Sequence, residues 1–146
     1  MLRLLAAPAA ALAFLAATFV PAHAFDTPEA LIEAFYGPFL VDEVPDDELS
    51  FFSKDTRTAW ELLMEQDDYG LGFDPVVDGQ DFNIAGFAVS EPEPAGKGVE
   101  VTVEFENFGE PRVMIYTLIE EDEGWLVHDI EAVHGEGWRL RELLGE

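Results

Sequence analysis

The sequence predicts an α+β fold: helices first, then a roughly four-stranded antiparallel sheet, then a short C-terminal helix. Three observations carry this. Apolar residues recur at helical spacing between 27 and 67, a Pro- and Gly-rich loop crosses 69–81, and strand-length apolar runs follow from 82 onward.

Thr27 suits the cap of a first helix, Pro28 its first position, and Glu29 the positive end of its dipole. Leu31, Ile32, Phe35, Tyr36 and Phe39 form its apolar face, and Gly37-Pro38 kinks it or ends it early. A short second helix follows Pro45, with Leu49 and Phe52 inward. A third spans 55–67, capped by Ser53 or Asp55, with Trp60, Leu63 and Met64 on one face. Gly70, Gly72, Pro75 and Gly79 make 69–81 a loop. The first strand covers 82–90, and 91–98 turns the chain. In the second strand, Val99, Val101, Val103 and Phe105 alternate with Glu100, Thr102, Glu104 and Glu106, which marks a strand with one face in water. The third, 112–120, is apolar on both sides except at Thr117, which predicts that both faces are covered. An acidic turn at 121–124 leads into the fourth, 125–133. The last helix, about 136–144, carries Trp138, Leu140, Leu143 and Leu144.

Residues 1–24 read as a secretory signal peptide. Arg3 is the only charge, an apolar run covers 4–20, and Pro21-Ala22-His23-Ala24 offers a small-x-small cleavage pattern. The run is at most 17 residues and Pro8 interrupts it, whereas a spanning helix needs about 20 apolar residues. The expected mature protein is one domain, 25–146, periplasmic or secreted, with no membrane attachment after cleavage. The chain has no Cys, so neither a lipid-bearing Cys nor a disulfide is possible. No paired Arg precedes the apolar run, which favours general secretion over the twin-Arg route.

The chain carries 31 acids and 7 bases, a net charge of −24. Losing Arg3 with the leader leaves 31 against 6, or −25. Repulsion from phosphates excludes nucleic acid as a partner and disfavours an anionic membrane surface. A cationic protein partner is compatible, although solubility in a salt-containing medium is the simplest account of the acidity.

Several pieces of the chain belong together: Thr27-Pro28-Glu29 with Phe35-Tyr36, Phe73-Asp74-Pro75 with Gly79-Gln80-Asp81, the strand from Val99 to Phe105, Gly124-Trp125-Leu126-Val127-His128-Asp129-Ile130, and Leu140 with Leu143-Leu144. In these the chain resembles a bacterial exported family of unknown function with the cone-shaped fold of the nuclear transport factor 2-like superfamily. The resemblance covers 27–144. It implies a curved sheet wrapped around helices with a pocket inside the cone, and it implies no reaction.

His128 lies in the fourth strand and shares a face with Leu126, Ile130 and Ala132 by alternation. Such a His is either a core residue with satisfied ring nitrogens, the commoner case, or a pocket acid or base. Asp129 points the other way, so His128-Asp129 is not a dyad. Asp74, Asp78 and Asp81 share one loop, where they suggest a calcium site or a general base at a pocket mouth. The spacing fails the EF-hand pattern, and turn-forming Asp residues that satisfy backbone N–H groups are the stronger reading. The acidic run 120–123 is a solvated turn or a weak cation site. Tyr36 and Tyr116 either donate into a pocket as an oxyanion hole does or are core residues. Trp60, Trp125 and Trp138 read as core, and His134 has no partner identifiable in the sequence.

The sequence contains no Gly-x-Ser-x-Gly, Ser-x-x-Lys, phosphate loop or His-Glu-x-x-His, and no cofactor is implied. The expectation is therefore a non-enzymatic binding domain for a small apolar ligand or a protein partner, with a cationic protein as the sharper version of the latter. The alternative is an acid–base enzyme of isomerase or dehydratase type using His128 or Asp81. A monomer or weak dimer is expected, because Glu100, Glu104 and Glu106 would bring like charges together in a symmetric contact through the sheet face.

Overall fold

A computed structural model describes residues 25–146, so the expected leader lies outside the described residues. Helix α1 (Pro28–Tyr36) is capped by Thr27, whose Oγ1 accepts from the Ala30 N–H at 3.2 Å. Leu31, Ile32, Phe35 and Tyr36 are buried, and a 3-10 turn at Phe39–Val41 follows Gly37-Pro38. A second 3-10 turn, Glu48–Phe51, stands where the short second helix was expected. Helix α2 (Lys54–Gln66) is capped by Ser53, not Asp55, through a 3.5 Å contact from the Thr56 N–H. Its buried residues are Thr56 and Ala59 rather than Trp60, Leu63 and Met64. Trp60 is half-buried beside Phe52, and Met64 is exposed, because burial along α2 fades after its first turn and a half.

The sheet is antiparallel, open and six-stranded: β1 (Ile84–Val89), β2 (Glu93–Ala95), β3 (Gly98–Asn107), β4 (Glu110–Glu121), β5 (Gly124–Ala132) and β6 (Trp138–Arg139). The order is β1-β3-β4-β5-β6, and β2 also pairs with β3. The two short strands fall in segments the sequence assigned to a turn and to the last helix. Gly135 and Gly137, at φ +61 and +69, fold the chain back so that β6 pairs with Glu131 and Ala132. The terminal helix shrinks to α3 (Leu140–Leu143).

One face of the sheet holds the core. Val99, Val101 and Val103 pair with Leu118, Tyr116 and Met114 of β4, which pair in turn with Val127, Ile130 and Ala132 of β5, and Phe105 and α1 join the same core. The opposite face of β4 (Val113, Ile115, Thr117 and Ile119) stays half-exposed, contrary to the expectation that both faces are covered. The apolar residues there cover a sheet face that no helix fully roofs.

The outer edge of β5 is closed by three separate segments. Phe25 bridges Gly124, Phe52 bridges Val127, and β6 covers the far end. Gly124 (φ +101) has no room for a side chain, since a Cβ would stand 2.5 Å from the Phe25 carbonyl oxygen. The Phe25 ring stacks on Phe51 at 5.6 Å, and Phe51 stacks on Phe35 at 4.6 Å.

At the centre of the core the Tyr36 hydroxyl donates to the Val76 carbonyl at 2.8 Å and lies 2.8 Å from the Tyr116 hydroxyl. Tyr36 has a single proton, so Tyr116 is the donor between them. Burial holds both phenols far above their ordinary range. Glu48 and Asp74 lie within electrostatic reach of the pair. Burial lifts the Glu48 carboxyl to about 8, with the Asp74 charge as a second cause, and burial likewise raises Asp74. A buried Asn107 clips the 74–83 loop to β3: it accepts from Asn83 N at 2.8 Å and donates to the Val77 and Asp81 carbonyls at 3.1 and 3.2 Å.

Two outcomes follow from this core. Between the ordinary carboxyl range and pH 8 the folded chain keeps the Glu48 proton that the unfolded chain has released, so stability falls as pH rises through that window. Glu48→Gln is expected to raise the melting temperature near pH 8, by the equivalent of about 1–2 kcal/mol, and to leave it nearly unchanged near pH 4. In urea denaturation, Tyr36→Phe is expected to cost about 1–3 kcal/mol because it strands the Val76 carbonyl, and Tyr116→Phe is expected to cost less.

Candidate functional site

His128 departs from strand alternation. Thr117 pairs with Asp129 and Leu118 pairs with Val127, so His128 is the extra residue of a β-bulge. The expected shared face therefore fails for Ile130 and Ala132, while Leu126, which pairs with Ile119 ahead of the bulge, stays on the His128 side. Beyond the bulge Ile130 and Ala132 turn to the core beside Tyr116 and Met114, and His128 turns to a groove on the other side.

The groove has a volume of about 530 Å³. Thr117 and Ile119 of β4 line it, together with Asp55 at the start of α2, Glu100 and Glu120, and the β2–β3 turn with Lys97. Gly98 lets that turn close against β4, for a Cβ there would stand 1.9 Å from the Leu118 carbonyl oxygen.

His128 Nδ1 lies 3.0 Å from Ser53 Oγ. Ser53 Oγ donates to Thr56 Oγ1 at 3.0 Å, and Thr56 Oγ1 donates to the His128 carbonyl at 2.6 Å. Arg141 Nη1 also donates to Thr56 Oγ1, at 3.0 Å. Burial and then the Arg141 charge lower the His128 pKa, so the neutral ring is favoured. Asp129 takes no part, since its Oδ1 accepts from the backbone N–H groups of Ile130 and Arg141. Burial raises the Asp129 carboxyl.

A second cluster gathers around Asp78, which sits at φ +52. Its Oδ2 lies 2.7 Å from His134 Nε2 and 3.0 Å from Arg112 Nε, and its Oδ1 accepts from Trp138 Nε1 at 2.8 Å. The Arg112 contact is an ion pair by distance without an aligned hydrogen bond. His134 Nδ1 is 3.1 Å from both the N–H and the carbonyl of Val113, so the imidazole extends the ladder where β5 has ended. His134 thus has a partner 56 residues away that no local pattern could reveal. The cluster fastens the 74–81 loop to one end of the sheet.

The remaining candidates disperse. Asp74 accepts from Val76 N at 2.8 Å. Asp81 is exposed and accepts from Phe82 N at 2.9 Å, and it does not line the His128 groove. The two are tied to turns of the backbone while Asp78 binds side chains, and among the described residues no group of three or more His, Asp or Glu is arranged to hold a metal ion. Tyr36 and Tyr116 are fully buried with their hydroxyl protons already used, so they form no oxyanion hole. In the acidic run, Glu121 receives the Lys54 N–H at 3.3 Å and so supports the start of α2. Sequence reasoning missed Ser53, Thr56 and Arg141 around His128, and Arg112 around Asp78.

No protein-family model matches the chain, and no curated protein matches it. Among solved structures it is similar to a phospholipid-binding protein from Ralstonia solanacearum in complex with a phospholipid, at 18% sequence identity and a TM-score of 0.39, over 82% of this chain. The match covers 59% of that protein's chain.

Proposed function

We propose that the chain is an exported binding domain that takes a small ligand in the groove beside His128. The groove itself carries this reading. Its volume of about 530 Å³ falls within the range of small-molecule sites, roughly 300–1,000 Å³, and one histidine and a few polar groups converge on it. The core side of the sheet is a weaker candidate: Tyr36, Phe105 and Tyr116, which would line a pocket there, are packed and buried. A nuclear transport factor 2-like cone remains our reading of the fold, supported by α1 lying across one face of an open antiparallel sheet. The anionic surface would draw cationic ligands or partners toward the domain.

One observation favours a second reading, acid–base catalysis by His128: the neutral ring borders a groove with a hydroxyl chain behind it. The two readings share a site and differ in whether the bound molecule is changed.

Nuclear magnetic resonance of residues 25–146 against a panel of small amines, acids, alcohols and sugars tests the site. Binders are expected to shift the amides of Gly96, Gly98, Thr117, Ile119 and His128, and Thr117→Trp is expected to weaken them about tenfold or more. Binders that move only other amides would overturn the reading. Turnover of a bound panel member, abolished by His128→Ala, would decide for catalysis. Export is tested separately by N-terminal sequencing of the native protein, which is expected to begin at Phe25. Recovery of Met1 on a cytosolic protein would defeat that part.

A further inference from the structure

We infer that Ser53 and Thr56 are positioning residues that hold His128 as its Nδ1–H tautomer, so that the groove offers a bare Nε2 and selects ligands that donate a hydrogen bond, small ammonium ions above all. The inference rests on the groove being a ligand site and specifies its polarity.

Counting protons gives the tautomer. A carbonyl oxygen only accepts, so the 2.6 Å contact with the His128 carbonyl takes the one hydroxyl proton of Thr56. Thr56 Oγ1 is then an acceptor toward Ser53, 3.0 Å away, and the Ser53 proton must fill that contact. Arg141 Nη1, a donor in every state, occupies another acceptor direction of Thr56 Oγ1 at 3.0 Å. Ser53 Oγ has no proton left for His128, so the 3.0 Å contact to Nδ1 requires the proton on the ring nitrogen. The four groups close a loop from His128 Nδ1 through two hydroxyls to the carbonyl of the same residue. Ser53 is fully buried, which keeps water from substituting in the loop.

In the neutral ring the proton on Nδ1 leaves Nε2 as a lone pair. Among the described residues Nε2 has no hydrogen-bond partner, and the ring borders the groove. The charged groups around it are Asp55 from α2, Glu100 from β3, Glu120 and Glu121 from β4, Asp129 from β5, Lys97 from the β2–β3 turn and Arg141 from α3. Arg141 is engaged by Thr56 and Glu146, and within the lining Lys97 stands against three carboxylates, Asp55, Glu100 and Glu120. An acceptor nitrogen among carboxylates suits a donor with positive charge. Acid reverses the sign: the imidazolium donates from both nitrogens and repels an ammonium ion, so binding falls as pH drops through the His128 titration.

Nitrogen-15 spectra of the His128 ring in residues 25–146, recorded above its titration, test the tautomer. Nδ1 is expected to be the protonated nitrogen, and a proton on Nε2 would overturn the inference. Thr56→Val removes the acceptor for the Ser53 proton and is expected to shift the ring toward the Nε2–H form, whereas Thr56→Ser should keep Nδ1–H. Should Thr56→Val fail to fold, the wild-type and Thr56→Ser spectra decide. Diaminobutane, succinate and butanediol, matched in chain length, probe polarity. The diamine is expected to bind at least about tenfold more tightly than the others and to move the Nε2 resonance. Succinate or butanediol binding in the groove with the diamine inert would defeat this inference and leave the binding reading intact. A panel with no binder in the groove would defeat the binding reading itself.

Discussion

The hydrogen bond from the Ser53 N–H to the Val127 carbonyl, at 2.7 Å, is the contact on which the arrangement around the site turns. It fixes the outer edge of β5 against the chain that is about to become α2. Phe52, one residue before, is thereby set into the core, and Ser53 is left to cap the helix and face His128. Lys54 presents its N–H to Glu121, and Asp55 reaches the groove. Val127 is the residue next to the bulge, so one backbone contact places the helix start and the displaced histidine side by side.

What was legible in the sequence was local. Thr27 and Ser53 cap their helices within three residues of the groups they satisfy, and β3 shows its faces through simple alternation. The failures have physical causes. Period-two reading cannot foresee one inserted residue, and that residue, His128, is the one that matters for the site. The span after Ala132 looked helical because Trp138, Leu140, Leu143 and Leu144 fit helical spacing, yet Gly135 and Gly137 at positive φ redirect it into pairing first. The Tyr36–Tyr116 and Asp78–His134 contacts join positions 80 and 56 residues apart, beyond any local signal.

The scarce bases are not scattered. Arg112 and Arg139 sit in ion pairs that tie the 74–81 loop and β6 to the sheet, while Arg141 pairs with Glu146 within the C-terminal segment and donates to Thr56 of α2. Glu131 holds Arg139 and keeps its charge secure, while Asp129 lies 3.7 Å from the same guanidinium. Lys54 and Arg57 stand beside Asp122 and Glu123, and Lys97 beside the His128 groove. Most of the excess acid therefore belongs to the exterior, and Glu48, Asp74 and Asp129 are among the inward exceptions, whose carboxyls burial raises.

Phe25 is a rung of the sheet edge. Its carbonyl receives the Trp125 N–H at 2.9 Å, and its ring starts the stack that runs through Phe51 to Phe35. Removing Phe25 would strip away a hydrogen-bond acceptor and an aromatic layer together, so the β5 edge and the ring stack depend on one and the same residue.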